Sequence, residues 1–309
     1  MERKTLGLGL CDGVLSLSFD LSICLIVWYS GIGYEFNVGC IGGNHDLPSI
    51  FIQEKEERNM LELRDVSVVF NEGTPFEKRA LSHVSCTIED GDLITILGSN
   101  GAGKSTLFHV ISGHCPVTSG VILLDGVDIT NQKEQVRAKY IGRLFQNPED
   151  GTAKHLSVEE NLALAYSSNK RGLFSLAIHK EDRNFFKERL CSLGMGLEER
   201  LRTPVGLLSG GQRQALALVM ALLNPPRILL LDEHTAALDP KSAEKVLDVT
   251  SVRVAQECVT ALMITHNIRD ALNRGNRLFI LRDGQLVQDF KEDEKNKLIP
   301  ADILNYYEV

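Results

Sequence analysis

The chain has 309 residues, 43% of them hydrophobic, enough to build a sizeable core in one or two domains. Charged residues make up 24%, which excludes wholesale disorder, and the net charge of −8 argues against a protein that coats nucleic acid. The seven cysteines (Cys11, Cys24, Cys40, Cys86, Cys115, Cys191 and Cys258) form no Cys-x-x-Cys pair and read as reduced thiols, and no run of about 20 apolar residues marks a polytopic membrane protein.

Composition shifts near residue 60. Residues 1–59 hold 4 Lys+Arg and 8 Asp+Glu, yet the stretch from Lys4 to Gln53 is sparse in charge and rich in glycine. It sustains neither a helical nor a strand period. Asp12 and Asp20 interrupt its apolar region, which disfavours a signal peptide or a single anchor. Residues 60–64 run Met-Leu-Glu-Leu-Arg, a protein start that leads into a strand. The codons for Lys55–Asn59 permit a ribosome-binding sequence just upstream. Residues 1–59 are therefore expected to be a non-native or disordered leader, with Met60 as the true start and 60–309 as the working domain.

From Met60 the pattern becomes regular. Leu61, Leu63, Val66, Val68 and Phe70 alternate with polar residues, as in short strands. Leu93–Leu97 is a continuous apolar run, as in a strand buried on both faces. It leads into Gly98, Ser99, Asn100, Gly101, Ala102, Gly103, Lys104, Ser105 and Thr106, which fit G-x-x-x-x-G-K-[ST]. Glycines let the backbone wrap phosphates with its N–H groups inward, and the following helix aims its positive end at the anion. Lys104 can reach the terminal phosphates and the Ser105 hydroxyl can ligate Mg2+.

Further along, Ser157–Glu160 reads as a capping box before Asn161–Tyr166, and Lys180–Leu193 as a solvated amphipathic helix. Leu208-Ser209-Gly210-Gly211-Gln212 opens an apolar helix that Asn224-Pro225-Pro226 stops, a second glycine-rich helix start fit for an anion. Ile228–Leu231 is a buried strand with Asp232 and Glu233 at its C-terminal end, where open α/β sheets place ligand groups. Asp232 can hold the metal, and Glu233 can polarise a water. Two phosphate cradles with one acidic pair make sense when two chains share each nucleotide. Arg277–Val287 reads as a hairpin around Asp283-Gly284, followed by a charged stretch and a short helix.

Together these residues resemble the nucleotide-binding subunit of an ATP-binding-cassette (ABC) transporter over essentially Met60–Val309. The resemblance implies an α/β fold: a P-loop NTPase core with an antiparallel β subdomain and an inserted α-helical subdomain, the latter from Gln146 to about Arg202. It implies that Gly98–Ser105 is the Walker A loop, Leu208–Gln212 the signature and Ile228–Asp232 the Walker B strand. Gln146 matches the glutamine that touches Mg2+ or water and senses the permease, Asp239 belongs to the D-loop, and His266 is the switch histidine. Phe70 lies where the family stacks an aromatic on adenine, with Phe76 as a rival. His234 departs from the pattern, since proline usually follows the catalytic glutamate.

The implied activity is ATP hydrolysis with Mg2+ in a head-to-tail homodimer. ATP on Lys104 and its loop is capped by Ser209, Gly210 and Gly211 of the other copy, with Glu233 as base and His266 against the γ-phosphate. The implied partners are a membrane permease that docks near Gln146–Thr152, a second ATP-binding subunit and a substrate-binding lipoprotein, with no nucleic acid. The implied location is the cytoplasmic face of the membrane. The nearest look-alikes are importer ATPases of the tryptophan/tyrosine type, which makes amino-acid import the expected task. The alternatives are a soluble ABC-type ATPase such as an iron–sulfur assembly member, and a regulatory cassette that binds ATP without cutting it.

Overall fold

A computed structural model describes residues 10–11, 14–15, 34–37, 51–54, 59–167 and 178–306. The chain divides into two compact units, 1–57 and 58–309. In the first, β1 (Leu10–Cys11) pairs with β2 (Val14–Leu15), and β3 (Tyr34–Asn37) pairs with β4 (Phe51–Glu54), both antiparallel. Most of the expected leader lies outside the described residues.

The second unit opens with β5 (Asn59–Phe70), one continuous strand where the alternation had pointed to shorter ones. The register between β5 and β6 (Lys78–Glu89) shifts at several points, and Asp65 takes φ 54. Such bulges break the strict two-residue period without ending the strand. Met60 is a core residue whose carbonyl accepts from Asp125 N–H at 2.8 Å. β8 (Ser119–Leu124) and β9 (Val127–Asp128) complete an antiparallel sheet of order β6-β5-β8-β9.

The second sheet has the order β10-β11-β12-β7-β13-β14, built from β7 (Leu93–Leu97), β10 (Ile141–Leu144), β11 (Ile228–Asp232), β12 (Thr260–Ile264), β13 (Arg277–Arg282) and β14 (Gln285–Phe290). All pairs are parallel except the β13–β14 hairpin. The central strands are apolar on both faces because helices cover both. On one face Ile94, Ile96, Ile228 and Leu230 pack with Phe108 and Ile111 of α1 (Lys104–Ser112). On the other, Leu229, Leu231, Ala261 and Met263 meet Leu218 and Leu222 of α5 (Gly210–Leu222) and Leu247 of α6 (Pro240–Gln256). Each such side chain contributes about 1.5–3 kcal/mol on burial.

α2 (Glu134–Arg137) precedes β10. The helical region holds α3 (Val158–Ser167) and α4 (Lys180–Cys191). Its core joins Val158, Leu162, Phe186 and Leu190 to Leu201, Leu208, Leu216 and Leu223. The helical core therefore runs past the expected limit at Arg202 and takes in one face of α5. α4 is less solvated than its charge implies, because Phe186 and Leu190 are buried at four-residue spacing. α7 (Ile268–Asn273), α8 (Glu292–Lys295) and α9 (Pro300–Leu304) close the unit. Lys295, in the charged stretch after the hairpin, is buried and bonds the carbonyl oxygens of Arg274 and Gly275.

Candidate functional site

The parallel strands β7, β11 and β12 end along one edge of the sheet, and the chemistry-bearing residues lie there. The loop after β7 runs from buried Gly98 through exposed Ser99, Asn100 and Gly101 to buried Ala102. Gly103 precedes α1 with φ 98, a left-handed conformation that disfavours any side chain. A Cβ there would also lie 2.6 Å from the Ala80 carbonyl oxygen. Only glycine lets the loop turn this tightly into the helix.

Lys104 is 5% exposed, and its Nζ donates to the carbonyls of Gly98 at 2.8 Å and Ser99 at 3.0 Å. The ammonium thus lies across its own loop. Burial lowers its pKa, and the nearby carboxylates of Glu233 and Asp232 oppose that shift. Ser105 is exposed, and its hydroxyl has no protein partner among the described residues; Thr106 is half-buried in the first turn of α1. A free hydroxyl and a carboxylate are the hard-oxygen donors that magnesium prefers, so the chemistry of Ser105 and Asp232 suits that ion.

Asp232 ends β11 and Glu233 follows it with φ 44, a sterically costly conformation for a residue with a side chain. Glu233 N–H donates to the Ile264 carbonyl at 3.2 Å, tying the turn to the end of β12. His266 lies just past that strand, with Nε2 2.5 Å from Glu233 Oε1. The structure thus brings Lys104, Asp232, Glu233 and His266 to one place from positions spread over 163 residues. Gln146 is exposed two residues past β10 at the same edge, without a protein hydrogen bond among the described residues.

The sequence pattern did not foresee the surroundings of Asp232 and Glu233. Arg143 Nη2 donates to Asp232 Oδ2 at 2.9 Å. The proline-replacing His234 is buried, with Nε2 3.3 Å from Thr250 Oγ1, and burial pushes its pKa down to about 4. It is a neutral packing residue at neutral pH. The only signal for either was a charge and a polar ring inside otherwise apolar strand surroundings.

The signature residues open α5. Ser209 caps α5: its Oγ accepts from Gln212 N–H at 3.3 Å, and Gln212 Oε1 accepts from Ser209 N–H at 3.2 Å. Cβ atoms placed on Gly210 and Gly211 would meet Leu238 Cδ2 at 3.1 Å and Ser242 Cβ at 3.0 Å. The helix start is thereby seated on the D-loop and the first turn of α6. Asp239 caps α6 by accepting from Ser242 N–H at 3.0 Å, which holds its carboxyl below the usual range. Phe70 is half-exposed at the end of β5, and Phe76 is 80% exposed in the loop that follows.

A phosphate loop on a parallel sheet, an acidic pair on the neighbouring strand and a capped Ser-Gly-Gly helix on an inserted helical region define an ATP-binding cassette. The chain belongs to the family described as ABC transporter, whose pattern matches residues 81–236, and it is an ATPase. It is 41% identical to a tyrosine transport ATP-binding protein of Clostridioides difficile over 81% of this chain and 99% of that protein. It is 36% identical to a thiamine import ATP-binding protein of Shigella flexneri over 68% and 85%. Among solved structures, a dimeric ATP-binding cassette in a post-hydrolysis state with ADP and Pi superposes with a TM-score of 0.64, at 30% identity over 75% of this chain and 99% of that one.

Proposed function

We propose that residues 60–309 hydrolyse ATP to power import of a small solute, an amino acid, through a separate membrane permease. The observation that carries the reading is the convergence of Lys104, Asp232, Glu233 and His266 at one sheet edge. The similarity to tyrosine transport and thiamine import proteins supports import. No helix among the described residues is long and apolar enough to cross a membrane; in this reading a permease supplies the transport path.

In this reading two copies pair head to tail. ATP lies on Lys104 and the loop amides of one copy, under Ser209, Gly210 and Gly211 of the other. Magnesium, when bound, would neutralise phosphate charge, and Ser105, Asp232 and Gln146 are the residues that would hold it. Glu233 takes the proton of the attacking water, and the neighbouring His266 steadies the γ-phosphate. Gln212 and Asp239 keep the two contact surfaces in register, and Phe70 stacks on adenine. This is catalysis by positioning and electrostatics, as phosphoryl transfer demands. A lipoprotein delivers the solute, and the assembly works at the cytoplasmic face. Residues 1–59 are a leader outside the working cassette.

Glu233→Gln tests the core of the reading. ATP binding stays and turnover falls by about 100-fold or more, the usual weight of a general base. Wild-type turnover in that variant removes Glu233 from its role. Co-purification of a multi-span membrane subunit with the tagged native chain tests the transport assignment, and a chain that hydrolyses ATP without one supports the soluble alternative.

A further inference from the structure

Three buried or half-buried arginines in the cassette are bonded in different ways. Arg137 saturates its guanidinium with five carbonyl bonds: to Val110, Ile111, Ile129, Thr130 and Gln132 at 2.5–3.1 Å. Arg277 is held between two carboxylates, Asp92 at 2.5 Å and Asp289 at 2.7 Å. Both are permanent fixtures of the core. Arg143 is different. It has one hydrogen bond, to Asp232 Oδ2, and its Nε is buried without a partner. Its Cζ lies 4.9 Å from the centre of the Phe145 ring.

The position follows from the sheet. β10 is parallel to β11 with Arg143 opposite Leu230, so Arg143 shares the α1-facing side of the sheet with Leu230 and, two residues on, Asp232. A long side chain on the edge strand can therefore reach along the sheet to the carboxylate at the end of β11. That carboxylate is the one read above as a magnesium ligand. With Lys104 near Asp232 and Glu233, the site holds two cations and two carboxylates and carries no net negative charge.

We propose that Arg143 is the counter-ion of Asp232 in the metal-free cassette, and that it releases the Oδ2 oxygen when magnesium nucleotide binds. The inference rests on Asp232 being the metal-holding carboxylate. Arg143 keeps the empty site from repelling the phosphates of ATP, and it competes with the metal for the same oxygen. It is a positioning residue that sets how much magnesium nucleotide binding requires. The single, unsaturated bond is what makes release cheap; an arginine bonded like Arg137 could not let go without leaving several carbonyls unpaired.

The test is equilibrium binding of the non-hydrolysed analogue AMP-PNP to the full chain, in EDTA and across a series of free Mg2+. Arg143→Met is expected to weaken binding in EDTA and to lower the half-saturating Mg2+, widening the ratio of metal-free to metal-bound Kd by about tenfold. Arg143→Lys keeps the charge and holds a ratio near that of the wild type. Arg143→Gln serves as the second neutral variant where the Met variant fails to fold. An unchanged ratio in both neutral variants overturns the proposal, as does equal weakening with and without metal, which would make Arg143 a plain phosphate contact. Asp232→Asn separates the two readings: if magnesium dependence survives that change, Asp232 is not the metal carboxylate and the underlying assignment fails.

Discussion

The two glycine-rich helix starts of this cassette have similar local sequences and different surroundings. The Gly98–Ser105 loop follows a strand buried on both faces, wraps a buried lysine and lies beside two carboxylates. The Ser209–Gln212 start has the same helix dipole, but its bonds go to its own capping box and to the Met195 carbonyl, the next residue Arg213 is already paired with Glu149 at 2.9 Å, and its small residues sit against Leu238 and Ser242. A helix N-terminus is a modest anion site. Strong phosphate binding also needs a cation on the loop, and the first start has the buried Lys104 with Asp232 and Glu233 close by. The second is suited to finish a site begun elsewhere.

Five substitutions sharpen or break that contrast. Gly103→Ala puts a Cβ 2.6 Å from a backbone oxygen in a left-handed residue, and should cost the fold about 3 kcal/mol in urea unfolding. Gly211→Ala meets Ser242 Cβ at 3.0 Å, where a side chain can give, and should cost less than half of that. Equal costs would erase the difference between the two loops. Lys104→Met should raise the Kd for ATP about 100-fold, close to 3 kcal/mol, by calorimetric titration. A small change there would put the phosphate affinity in the backbone alone.

His234 gives a pH signature to the first site. Its pKa is pushed down to about 4 in the folded chain against 6.5 in the unfolded one. Above pH 6.5 both states are neutral; between 6.5 and 4 the unfolded chain takes a proton that the folded chain refuses, so stability falls as pH falls. Between pH 7 and 5 the wild type should lose about 2 kcal/mol more than His234→Gln, measured by urea midpoints. The smallest effect belongs to the second start. Ser209→Ala removes the cap and should cost about 1 kcal/mol, leaving ATP binding by a single copy intact while turnover falls. Lost binding in that variant would mean that Ser209 serves its own chain's nucleotide.

Legibility differed with the range of the interaction. Lys104, Ser105, Asp232, Glu233 and His266 each stand beside a buried strand that the apolar runs Leu93–Leu97, Ile228–Leu231 and Thr260–Ile264 announce. The capping box at Ser157 was equally readable, because its partner is three residues away, while the matching box at Ser209 went unread behind its glycines. The Asp283-Gly284 hairpin formed as its turn residues required, both at positive φ. The long β5 was hidden by bulges, and the buried face of α4 by its charges. The reach of the helical core to Leu223 was hidden because α5 has two buried faces, one for each neighbour.

The sequence by itself determined the buried strands that lead into the phosphate loop and the acidic pair, and the helix starts at Gly103 and Ser209, since these depend on neighbours within a few residues. Only the tertiary structure decided which charges meet. Arg143 and Asp232 are 89 residues apart and are joined by the parallel register of β10 and β11. Lys295 is buried against carbonyls more than eighteen residues upstream, and His234 against α6. A charge has no periodicity of its own; its partner is set by where the sheet places the next strand.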